Sequence, residues 1–156
     1  MGATVFASLA RPLIVAHSLG AMLLVGASVR HATVAIDYGR ARYRVHIGRT
    51  YAALVAAAYV FTMTLGALVY PTYRYYVRGL FLDRHLPWAS NLFSIKENLA
   101  TIGLPLALGA FFLSRVLDPE RDRVMLPGYI GLVLVQTAIV AFNLVVGLYV
   151  TLLRGV

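Results

Sequence analysis

The stretch Val124–Leu153, VMLPGYIGLVLVQTAIVAFNLVVGLYVTLL, runs for thirty residues without one charged side chain. As a helix it would extend about 45 Å, past the roughly 30 Å of hydrocarbon in a bilayer, so it must tilt or protrude. An uncharged run of this length defines a membrane span. Working outward from it, Thr50–Tyr70 is equally free of charge. Pro12–Ile36 and Asn98–Ser114 are apolar with few interruptions. Pro12 suits the first turn of a helix, and Pro105 removes one intrahelical bond, which predicts a kink or a freed carbonyl at Thr101. The prediction is an all-α integral membrane protein, an antiparallel four-helix bundle forming one transmembrane domain. Its spans are expected at about 12–36, 50–70, 98–116 and 127–152, with an interfacial segment over 71–97.

Composition agrees. Of 156 residues, 60% are hydrophobic and only 13% charged, and the mean hydropathy is +0.78, far from the usage of a soluble domain. The absence of cysteine excludes disulfides, thiolate metal sites, iron–sulfur ligation and covalent c-type haem attachment. The net charge of +8 lies in arginines between the apolar spans, where they set topology and meet anionic lipid; nucleic acid is not an expected partner. Met1–Ala10 lacks the basic start of a signal peptide, so the first span is expected to stay in the protein.

The connections differ in character. Asp37–Arg49 is dense in arginine, and Gly39 and Gly48 are expected to punctuate it. Pro71–Lys96 interleaves Tyr73, Tyr75, Tyr76, Phe81 and Trp88 with Arg74, Arg78 and Arg84, which predicts a short interfacial helix interrupted near Pro87. Eight cations flank the first and third connections and six lie on the other side, Arg11 and Arg154 among them. That balance places both termini outside the cytoplasm in a multi-pass protein of the cell's inner membrane.

Ionisable groups at membrane depth are functional candidates by default. His17 lies inside the first span and His31 follows fourteen residues later. Fourteen helical residues advance roughly 21 Å and return to within about 40° of the same face, so both imidazoles are expected to look the same way. The stripe His17, Gly20, Ala21, Leu24, Ala27, Ser28, His31 offers nitrogen ligands and small residues against which a porphyrin can lie, with Arg30 as a propionate partner. Both histidines are candidate metal ligands. Candidate companions on the side of His17 are Lys96, the chain's one lysine, with His85 and Met63; His46 lies on the side of His31. Glu97 adjoins Lys96 and is the candidate proton-transfer residue. Gln136 and Asn143, seven residues apart, read as hydrogen-bond glue between helices.

Thirteen residues between the histidines resembles the diheme cytochrome b family, although no second helix repeats the pair. A broader likeness comes from the order of His17, Gly26, a basic connection, Gly66-Ala67-Leu68 and a lysine at Phe93-Ser94-Ile95-Lys96-Glu97-Asn98. That order resembles the four-helix membrane protoporphyrinogen oxidases and, more loosely, the copper-resistance D family. The resemblance implies a bound haem b with His17 and Lys96 as key residues. The expected function is electron transfer with quinone or a partner redox subunit. The alternative is a non-catalytic accessory subunit that packs, as a homo-oligomer or with other membrane proteins, through its small-residue faces.

Overall fold

The computed structural model describes residues 9–153; the first eight residues and Arg154, which entered the signal-peptide and charge readings, lie outside them. The chain forms α1 (Ala10–Gly39), α2 (Val45–Tyr73), a π-helical stretch (Arg74–Leu82), a single turn α3 (Asp83–His85), α4 (Pro87–Val116) and α5 (Leu126–Leu153). Four helical runs are long and apolar enough to cross a membrane. They pack antiparallel in a ring in which α1 meets α2 and α5, and α4 meets α2 and α5. This is the four-helix membrane bundle expected from the uncharged spans.

The interior is built from small side chains. Ala27, Ala58 and Ala107 meet at mid-depth beside Leu24, Val55 and Val140, while Leu19, Leu23, Phe61, Ile102, Phe112 and Val145 point outward. Lipid is as apolar as leucine, so large side chains lose nothing by facing it, whereas alanines let helix backbones approach and gain dispersion contacts. Threonines are accommodated because Thr50, Thr64, Thr101 and Thr151 each return their hydroxyl to the carbonyl four residues earlier.

Several boundaries differ from the sequence reading. α1 runs three residues past Ile36 and ends at Gly39, where a break was expected, and the chain turns at Ala41, whose φ of 57° is the left-handed conformation common just after a helix. Gly48 punctuates nothing; it lies in the first turn of α2. Pro71 and Pro105 are both carried inside helices. The 71–97 region is helical and interrupted directly before Pro87, as expected, but it continues the neighbouring helices rather than forming a short helix of its own. Helix continues from Val45 to His85, 41 residues or about 62 Å, and breaks at Leu86, directly before Pro87. Residues 87–97 are the opening turns of α4. Hydrophobic periodicity could not reveal this continuation because the π register shifts the stripe at Arg74.

Two arginines tie helix ends together. Arg49 on α2 donates through Nε to the Ser114 carbonyl at 3.0 Å and through Nη2 to that of Arg115 at 3.4 Å, capping the last turn of α4 where unpaired carbonyls carry partial negative charge. At the opposite end Arg78 reaches from the π-helical stretch to Glu97, at 3.3 Å, and to Ser94 Oγ, at 2.9 Å. Asp83 lies 3.9 Å from the same guanidinium and accepts a short hydrogen bond from Ser90.

Candidate functional site

Polar side chains enter this interior at places where a neighbouring helix has no Cβ. The imidazole of His17 lies over Gly66, Thr62 presses its hydroxyl toward Gly20, and the Lys96 side chain runs against Gly147. Tyr59 places its hydroxyl beside Gly103 and donates to the Ala100 carbonyl at 3.0 Å. Tyr38 does the same at Gly48. A methyl group at any of these glycines would meet the polar tip at or inside van der Waals contact, so the glycines set how deeply each group is received.

His17 is the best-oriented of the candidates. Its Nδ1 lies 2.8 Å from the backbone oxygen of Thr62, so Nδ1 is the protonated nitrogen and donates to that carbonyl. That carbonyl fixes both tautomer and ring plane and leaves Nε2 as the basic nitrogen. Lys96 stands within electrostatic reach of the imidazole. Its ammonium lies 5.3 Å from the centre of the Phe93 ring, a cation–π contact. Among the described residues no carboxylate forms an ion pair with it, because Glu97 is turned to Arg78. Near the same end of the bundle the Tyr73 hydroxyl, Asn143 Oδ1 and Thr62 Oγ1 are buried without a hydrogen-bond partner. The arrangement can hold an electron-pair acceptor at Nε2 and an anionic group at Lys96.

The other candidates separate from this centre. His31 does not share the outlook of His17: it bonds Tyr129 on α5, whereas His17 bonds α2. The residual rotation of about 40° between the two positions is enough to send them into adjacent seams. Arg30 is exposed and rests on Tyr51, 6.0 Å from its ring centre. His85 is exposed and lies 5.2 Å from Phe81, and His46 is exposed in the first turn of α2. Among the described residues no three His, Cys, Asp or Glu side chains converge as a metal cluster. Gln136 acts as the glue expected of it, with Nε2 donating to Ser28 Oγ at 3.2 Å.

Sequence reasoning missed the glycine partners. Each lies on a different helix from the group it receives, so no spacing along one helix reports it. The fold and its polar interior define a four-helix, multi-pass integral membrane protein in contact with lipid. No family model matches the chain, and no curated protein or solved structure proved similar to it.

Proposed function

We propose that this is a haem b-binding membrane protein that exchanges electrons with quinone or a partner redox subunit, in which His17 would hold the iron. One observation supports the reading above others: the His17 ring is held by Nδ1–H donation to the Thr62 carbonyl at 2.8 Å, leaving Nε2 for iron. Metal-bound histidines use this outer hydrogen bond to fix ring orientation and raise ligand basicity. Lys96, with no carboxylate partner among the described residues, is its companion as second ligand or as cation for a propionate. Glu97, paired with Arg78 at the rim, is the residue through which protons exchange with water.

The donor set suits one such group. His31 has its Nε2 committed to Tyr129, and Arg30 and His85 lie apart from His17, so none of the three belongs to this site. A bound haem would supply one-electron chemistry; the residues supply ligation, charge and orientation. In this reading the arginine-rich connections face the cytoplasm of an inner membrane and both termini lie outside.

The test is a visible spectrum, oxidised and dithionite-reduced, of protein made with ample haem and purified in detergent, beside His17→Ala. A Soret band and a reduced α-band that disappear in the variant are expected. A featureless wild-type spectrum removes the proposal. The second reading, an accessory subunit, has one observation in its favour: Gly26, Gly128 and Gly131 have nothing within 4 Å of where a Cβ would stand. Outward glycines suit close approach of another helix. Co-purification of a membrane partner that Gly128→Leu abolishes, with no haem band, would favour it.

A further inference from the structure

His31 belongs to a second arrangement, about 21 Å along α1 from His17. Its Nε2 stands 2.8 Å from the Tyr129 hydroxyl. Both side chains are sealed, at 1% and 2% exposure. Their rings meet edge to face with 6.0 Å between centroids. Tyr129 stacks on Tyr38 at 6.3 Å and 19°, and Tyr38 lies 6.5 Å from Tyr43 in the α1–α2 connection. Tyr38 is buried and Tyr43 half-buried. Three phenols therefore line up from a buried imidazole to one membrane face.

Counting protons gives the hydrogen bond its direction. Nδ1 of His31 is buried with no partner. Were Nε2 the protonated nitrogen, both the Nδ1 lone pair and the Tyr129 hydroxyl proton would go unpaired. With the proton on Nδ1, that single N–H is the one group unpaired, and Tyr129 donates to Nε2. Leaving a buried group unpaired is costly, so the arrangement with one such group is preferred to the one with two. Tyr129 thus has a base at hydrogen-bond distance. Tyr38 does not: its hydroxyl donates to the Arg44 carbonyl at 3.4 Å, and an amide oxygen does not take up a proton.

This difference matters for redox chemistry. A phenol that loses an electron becomes strongly acidic, and in an apolar interior its proton cannot reach water. Oxidation is easiest where a base waits, because the positive charge then moves from a very acidic phenol radical cation to a far more stable imidazolium. We propose that Tyr129 and His31 form a buried one-electron redox pair, connected to the membrane face through Tyr38 and Tyr43. The oxidant is a peroxyl radical at that face. It accepts one electron from the tyrosine line and one proton from water, and leaves as a hydroperoxide. The electron vacancy settles on Tyr129, whose O–H bond breaks as the proton moves to His31 Nε2, leaving a neutral phenoxyl radical beside an imidazolium. A thiol at the same face returns the electron as it becomes a thiyl radical and releases its proton to water; the Tyr129 proton goes back from His31.

The test oxidises the full chain in detergent with photogenerated tris(bipyridine)ruthenium(III), using persulfate as the sacrificial acceptor, and freezes it for electron paramagnetic resonance. A persistent phenoxyl signal is expected, absent in Tyr129→Phe, and decaying about ten times faster in His31→Gln, a barrier change of about 1.4 kcal/mol. Tyr43→Phe should slow its formation while leaving its lifetime unchanged. A persistent signal that survives in folded Tyr129→Phe, or no persistent signal in the wild type, overturns the proposal. Should the variants not fold, the wild-type radical decides: an exchangeable proton coupling from a neighbouring imidazolium supports the pair, and its absence refutes it. The outcome is independent of whether haem binds at His17.

Discussion

Tyr59 and Gly103 show at single-residue scale what holds this bundle in register. The phenol reaches across from α2 because Gly103 leaves the surface of α4 open, and its hydroxyl is satisfied by the Ala100 carbonyl. Gly103→Ala is expected to cost about 1–3 kcal/mol through overpacking, read as a lower thermal midpoint in detergent by circular dichroism. Adding Tyr59→Phe should recover part of that loss, because the hydrogen bond it sacrifices is worth only about 0.6 kcal/mol within membranes. Gly26→Ala, at a position open on its outer side, should leave the midpoint unchanged. A midpoint that falls equally in both glycine variants would deny Gly103 its special place. His17 was legible in the sequence because polarity at membrane depth is costly whatever surrounds it. The seam that His31 enters was not, because a 40° difference along α1 has meaning only once the positions of α2 and α5 are known.

At the scale of elements, the π-helical stretch decides how α2 is joined to α4. Arg78 is the one side chain of that stretch that grips Ser94 and Glu97 on α4 and approaches Asp83 as well. Arg78→Met is expected to speed amide hydrogen exchange over 74–85 about fivefold or more, the consequence of losing about 1 kcal/mol of local stability. Exchange in α5, to which Arg78 makes no hydrogen bond or ion pair, should be unaffected. Uniform acceleration in both would mean that the arginine supports the whole bundle rather than this junction. The sequence made α5 plain, since thirty uncharged residues admit one reading. It hid the continuation of α2, because its aromatics and arginines are equally suited to a headgroup-level segment and to a helix rising out of the bilayer.

For the whole molecule, four antiparallel crossings put the 40–44 and 117–125 connections on one side and the break at Leu86 on the other. The chain has no cysteine, so single introduced thiols report side without background. In intact cells, Arg42→Cys and Asp118→Cys should share one labelling behaviour with an impermeant maleimide, and His85→Cys should show the opposite one. Three identical outcomes would contradict the crossing number. Labelling of His85→Cys alone would agree with the arginine-rich connections lying inside. The uncharged runs made the four crossings readable, while the depth at which each polar group sits required the packed ring.

One feature of α2 governs how this protein can move. The helix is a socket at one level, where Gly48 receives Tyr38 of α1, and a peg at another, where Tyr59 enters the surface of α4 at Gly103. Sliding along its own axis would have to withdraw both tips at once, each from a slot shaped for it. α2 therefore behaves as a keyed shaft rather than a piston. An axial displacement of α2 would load α1 and α4 at the two slots instead of slipping past them.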